Sequence, residues 1–266
     1  IIIASRANLS FNDFLVHMAP WVIVVMMVIT PMLVFMFRKE LVNTAADRAR
    51  IDKLDEKSYL KDKVLLKKSL FVLGAVMIAF VLHTALHLEP SIVAMLGAGV
   101  LVGISRLKPK DYAMDVEWAT LVFFAGLFIM VGALVKTGAL GEFAKFLKDQ
   151  VGDQASLAAM VLLFVSAILS GIIDNIPYVA SMSPVVTELS AGISEQYGDV
   201  LWWALAFGAD FGGNATIIGA SANVVAIGLA HKAGIKISFW QFAKYGIPVT
   251  LVSVAMVAPY ILIRYF

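Results

Sequence analysis

The chain has 266 residues, 61% of them hydrophobic and only 15% charged, with a formal net charge of +2 and a mean hydropathy of +0.87. Soluble domains carry about 45–50% apolar and about 25% charged residues, so this composition excludes a water-soluble fold for want of charged surface. The absence of cysteine excludes disulfides and thiolate metal sites.

A membrane helix needs about 20 apolar residues to cross roughly 30 Å of hydrocarbon. Leu15–Phe37 carries no charge and qualifies, with Pro20 and Pro31 placed to bend it. Ten of the 21 Lys and Arg residues then fall between Arg38 and Lys68. Acidic Glu40, Asp47, Asp52, Asp55, Glu56 and Asp62 dilute this run, and membrane spans flank it. It therefore reads as a cytoplasmic loop and not as a nucleic-acid patch. Ser69–Leu88 is a second span, Ser91–Ser105 is short for one, and Trp118–Val135 is adequate. Lys136–Asp149 sets Leu140, Phe143 and Leu147 against Glu142, Lys145 and Lys148. That pattern predicts an amphipathic helix lying at the interface.

The second half is interrupted. Ala155–Ile173 is uncharged and stops at Asp174-Asn175-Ile176-Pro177; Tyr178–Leu189 follows and is too short to span. Two apolar arms joined by a polar, proline-containing tip predict a re-entrant hairpin over about 155–190. Val200–Gly208 and Ile217–Ala230 are half-length runs around Ala209-Asp210-Phe211-Gly212-Gly213-Asn214-Ala215-Thr216. They predict a helix over about 200–230 that is broken in a glycine-rich middle. Ile247–Ile263 makes the last span. Irregular backbone at membrane depth survives only where protein buries it or where it lines a cavity. Such interrupted segments are the best sequence pointer to a transporter's binding site. Lys/Arg bias places the 38–68 loop, Arg106, Lys108, Lys110, His231, Lys232 and Lys236 inside, and the C-terminus outside. The fold class is an all-α polytopic membrane protein.

Asp174 and Asp210 are the acids embedded at the hairpin tip and the helix break, with no Lys or Arg in the same segments. A carboxylate at the bilayer centre costs about 2.5–3.5 kcal/mol on insertion scales. A metal cation, a proton or helix N–H groups must compensate it. Neutral oxygen donors surround the acids: Asn175, Ser181 and Ser183 on the hairpin, and Asn214, Thr216, Ser221 and Asn223 on the broken helix. With freed carbonyls they make a hard-oxygen environment suited to alkali cations. The N-terminus of the second half-helix, near Ala215–Ile218, offers N–H groups to an anion. The constellation therefore suits a cation, an anion or both. Pro177 sits at the hairpin tip, and Gly208, Gly212, Gly213 and Gly219 permit close backbone approach. Ser166, Ser170 and Ser253 read as packing residues. His83 and His87 share a helix face at i, i+4 but lack a third ligand, so no metal site is expected. Enzyme signatures such as Gly-x-Ser-x-Gly, His-Glu-x-x-His and the P-loop are missing. An intramembrane aspartyl protease fits poorly, because Asp174 stands beside a proline turn and Asp210 before a glycine pair.

Two stretches carry a family resemblance: Asp174-Asn175-Ile176-Pro177-Tyr178-Val179-Ala180 and Gly212-Gly213-Asn214-Ala215-Thr216-Ile217-Ile218-Gly219-Ala220-Ser221-Ala222-Asn223. With them the sequence resembles the ArsB/NhaD group of the ion transporter superfamily, also described as citrate-transporter-like, nearest its P-protein-like branch. The resemblance implies two inverted repeats, each with a hairpin and an unwound helix, and a substrate site between tips and unwound segments. Residues 69–266 would form the second repeat and residues 1–14 a remnant of the first repeat's broken helix. The first repeat's Gly-Asp-Pro-Pro-Asn-type motif does not occur here, so an N-terminal repeat is expected as a missing partner. The implied function is a secondary active transporter of the cation-coupled, Na+/H+ antiport type. The alternative is an arsenite, dicarboxylate or other anion permease, and an ion channel is the reading from another class. The expected ligand-binding set is Asp174, Asn175, Pro177, Asp210, Gly212, Gly213, Asn214, Thr216, Ser221 and Asn223. A bound Na+ takes the place of a cofactor. The expected partners are a small ion or anion, membrane lipid and a second copy in a homodimer, in a prokaryotic inner membrane.

Overall fold

The computed structural model describes residues 2–41, 62–86, 88–105, 108–116, 118–152, 154–191 and 195–266. Most of the basic loop, together with Arg106 and His87, lies outside these residues. The described residues are all-α, in thirteen helices. They fall into two compact units, one of residues 10–12 and 30–117, the other of residues 2–9, 13–29 and 118–266. Ile1 is not described.

In chain order the helices begin with α1 (Ile2–Ala7), α2 (Phe11–His17), α3 (Ala19–Met36), α4 (Lys63–Leu86), α5 (Pro90–Ser105) and α6 (Pro109–Asp115). They continue with α7 (Trp118–Lys136), α8 (Ala139–Val151), α9 (Ala155–Ser170), α10 (Asn175–Ala191), α11 (Glu195–Gly212), α12 (Ser221–Lys232) and α13 (Phe239–Tyr265). By length and apolarity α3, α4 and α13 can each cross a membrane, and α7 with α8 forms a bent pair. The chain is a polytopic membrane protein.

In the first unit α4 packs on α5. A Cβ at Gly97 would stand 2.2 Å from Val76 Cγ2, so glycine permits the close approach. Lys68 Nζ donates to the Ile104 carbonyl at 2.6 Å, a cation on the negative end of α5. His83 Nε2 accepts from the Phe11 N–H at 3.0 Å, so its proton lies on Nδ1, which faces the Leu88 carbonyl at 3.3 Å. His83 is thereby occupied in fixing the start of α2. Among the described residues no group of three His, Cys, Asp or Glu side chains could hold a metal ion.

The second unit is built around α11. Every residue from Val200 to Ala209 is buried, and a helix that is apolar all round belongs in an interior. Its sides are covered by both hairpin arms, α9 and α10, and by α13. The arms therefore splay around α11 rather than closing on each other. Lipid tails are as apolar as leucine, so close packing, not transfer from water, holds such helices together. Gly208 and Gly212, four apart, supply that closeness. A Cβ at Gly208 would stand 2.5 Å from the Leu163 carbonyl oxygen, and one at Gly212 would stand 2.4 Å from that of Ala167. At the opposite end His17 stacks on Trp203, with ring centroids 4.9 Å apart, and bonds Tyr265 through Nδ1 at 2.6 Å. This ties α2 to α11 and α13.

The bend after α7 comes at Gly138, whose φ of +77° only glycine adopts freely. The α7–α8 pair turns through 67° there. α8 is amphipathic as its sequence predicts, but on a different stripe. Leu140, Ala144, Leu147 and Val151 face the core, whereas Phe143 and Phe146 are exposed. The spacing i, i+4, i+7, i+11 keeps one helix face against α10, and Phe143 lies off it.

Candidate functional site

The hairpin tip is the turn between Ser170 and Asn175. Asp174 ends it as the residue before α10, and its Oδ1 accepts the Ile176 N–H at 3.0 Å. That bond satisfies one of the orphan donors at a helix start. Pro177 is buried in the first turn of α10, where a missing N–H costs nothing. The second Asp174 oxygen, Oδ2, accepts from the Ser221 hydroxyl at 2.5 Å. Ser221 is the first residue of α12, so one carboxylate links the hairpin tip to the second half-helix.

The break itself comes later than its sequence suggests. α11 runs on through Asp210 to Gly212, because Gly208 and Gly212 pack in helical conformation on α9. The unwound stretch is two 3-10 turns, Gly213–Ala215 and Ile217–Gly219, with Thr216 and Ala220 extended. Asp210 thus lies in the last turn of a helix. A negative charge there adds to the negative end of the macrodipole instead of offsetting it. Asp210 is the first exposed residue after the buried run of α11. Its Oδ1 receives a long bond from Asn175 Nδ2 at 3.4 Å.

Carbonyls freed by the break need donors, and side chains supply them. Ser170 donates to the Ala209 carbonyl at 2.6 Å and Thr250 to that of Phe211 at 3.0 Å. Asn223 Nδ2 donates to both Gly213 and Thr216, each at 2.9 Å. The Thr216 hydroxyl donates to the Gly171 carbonyl at 2.6 Å and accepts the Gly219 N–H at 3.1 Å. Gly246 of α13 touches the break from outside; a Cβ there would stand 2.4 Å from the Asn214 carbonyl oxygen. Gly213 and Gly219 face each other, each too close to the other's carbonyl for a side chain.

The residues expected to bind thus divide. Asp174 pairs with Ser221, Asn175 with Asp210, and Asn223 with the backbone at Gly213 and Thr216. Asn214 is exposed, and among the described residues its side chain has no hydrogen-bond partner. Ser181 and Ser183 donate back to the Pro177 and Val179 carbonyls within α10. Ser166 accepts from the Tyr178 hydroxyl at 2.9 Å, in keeping with packing. Ser170, read as packing, also supports the break. Gly246 and Thr250 lie outside the motif, Thr250 39 positions from Phe211, and act on it only through the fold. An apolar groove of about 370 Å³, lined by Phe164, Ile168, Ile172, Thr216, Ile247 and Leu251, runs beside the break and contains neither acid.

A citrate transporter family model matches residues 1–208 of this chain. The chain belongs to the citrate transporter family. It is 50% identical to the 46 kDa membrane protein of Mycobacterium leprae, over 100% of the chain and 62% of that protein. It is 51% identical to an uncharacterized transporter of Mycobacterium tuberculosis, over the same shares. The P protein of Homo sapiens is 39% identical over 81% of the chain and 27% of its own length. The chain thus spans 62% of the mycobacterial relatives' length. No solved structure matches. The family and the Mycobacterium tuberculosis relative are described as transporters, not enzymes.

Proposed function

We propose that this chain carries part of the substrate and coupling-ion site of a cation-coupled secondary transporter, of the Na+/H+ antiport type, in a prokaryotic plasma membrane. The observation that carries the reading is Asp210. It is an exposed carboxylate on the C-terminal turn of a helix, and among the described residues it has no ion-pair partner and one hydrogen bond, at 3.4 Å, from Asn175. Such a charge calls for a cation or a proton, and neutral oxygens such as the exposed Asn214 amide would add to a hard-oxygen environment. One carboxylate with amide and carbonyl oxygens suits an alkali ion better than a divalent or transition metal. The relatives named as transporters and the mycobacterial match support the class and the membrane. The ArsB/NhaD branch and the Na+/H+ coupling are the finer part of the proposal.

A second reading, an anion permease, has one observation in its favour. The residue before α12, Ala220, gives the helix N-terminus no side-chain cap, leaving N–H groups for an anion. Against it, Asp174 already brings a carboxylate to that helix end through Ser221. Purified protein at the length of its relatives, in liposomes, separates the two. Na+ or Li+ gradients that move protons, with no citrate uptake, support the cation reading. Citrate uptake with no cation-driven proton movement supports the anion reading and removes the first.

A further inference from the structure

We propose that Asn223 is a positioning residue, a clamp that shapes the unwound segment from behind and not a ligand of the transported ion. The inference rests on the cation reading above and refines the roles within that site. Its ground is the direction of the Asn223 side chain. The amide nitrogen donates to the Gly213 and Thr216 carbonyls, both at 2.9 Å, and so spans the first 3-10 turn from end to end. Both amide hydrogens are spent on backbone. Those carbonyls in turn sit on either side of Asn214, whose own side chain is exposed and unpartnered among the described residues. Thr216 completes the clamp by donating to Gly171 and accepting from Gly219. One side chain on α12 thereby fixes the backbone that presents Asn214. A break in a membrane helix has carbonyls that water cannot satisfy, and a primary amide is the one neutral side chain with two donors on a single atom.

The clamp and the ligand role predict opposite results for Asn223→Asp. A ligand acts through Oδ1, so an added carboxylate keeps or strengthens cation binding. A clamp acts through Nδ2, so the change removes both donors and sets an oxygen against two carbonyl oxygens. The test uses the full protein in liposomes with Na+ gradients, and hydrogen exchange of residues 213–220 in Na+-free buffer. The clamp predicts an apparent Na+ KM raised by about tenfold or more, the scale of one or two lost hydrogen bonds to buried groups. It also predicts faster exchange across 213–220 in both Asn223→Asp and Asn223→Ala, with no cation present. Thr216→Val, which removes the hydroxyl that bonds Gly171 and Gly219, raises the KM as well. Retained or tighter Na+ affinity in Asn223→Asp overturns the proposal, as does unchanged exchange in the Ala variant. Should Asn223→Asp not fold, the Ala variant's exchange decides alone. If the wild-type protein moves no cation, the transport reading fails instead, and exchange still tests the clamp.

Discussion

At the scale of single residues, Asp174 and Asp210 look alike in sequence and differ in the fold. Both are lone acids in apolar surroundings, and from the sequence either could bind a cation or cap a helix. Asp174 does cap one, through the Ile176 N–H, and bonds Ser221 as well. Its charge sits at the positive ends of α10 and α12, where helix N–H groups stabilise it. Asparagine caps nearly as well as aspartate, so Asp174→Asn should retain coupled transport at a reduced rate, and Ser221→Ala should do likewise. Transport as inactive as a vector control in Asp174→Asn, at normal protein level, would show that its charge does more than cap. Asn214→Ala tests the exposed neutral donor: the apparent cation KM should rise while abundance stays constant. Lower abundance with unchanged affinity would make Asn214 a packing residue. These distinctions were invisible beforehand because they depend on which partner each oxygen finds, and Ser221 lies 47 positions from Asp174 in sequence.

At the scale of elements, the helices on either side of the tip and of the break, the amphipathic helix and the last apolar helix were legible from hydropathy and from Gly and Pro. The end of the first half-helix was not. Glycine-rich sequence suggested unwinding from Ala209, yet Gly208 and Gly212 remain helical because α9 lies against them. The four-residue spacing of these glycines was the available signal. It follows that Gly212→Ala should force α9 and α11 apart, since its Cβ would meet the Ala167 carbonyl oxygen at 2.4 Å. The expected cost is about 1–3 kcal/mol, the usual range for overpacking, read as a lower Tm in detergent. Gly74, with nothing near its missing Cβ, is the control, and Gly74→Ala should leave Tm unchanged or slightly raised. Equal Tm values for both variants would contradict the packing account. Gly246 and Thr250 could not be assigned to the break from sequence, because α13 reaches it only by tertiary packing.

At the scale of the whole molecule, orientation follows from charge. A cytoplasmic 38–68 loop and an external C-terminus are the arrangement that Lys/Arg bias favours. Cysteines introduced at Ser58 and after Phe266 should react from opposite sides of the membrane, and these 266 residues hold no other cysteine to compete. Labelling from one side would mean an even number of crossings between them. The central claim, however, is that Asp210 carries the coupling ion. Its test is the Na+- and pH-dependence of transport by Asp210→Asn protein, inserted at wild-type level in liposomes beside Asp174→Asn. The account predicts that Asp210→Asn abolishes coupled transport while Asp174→Asn retains it. A wild-type rate and pH profile in Asp210→Asn would contradict it.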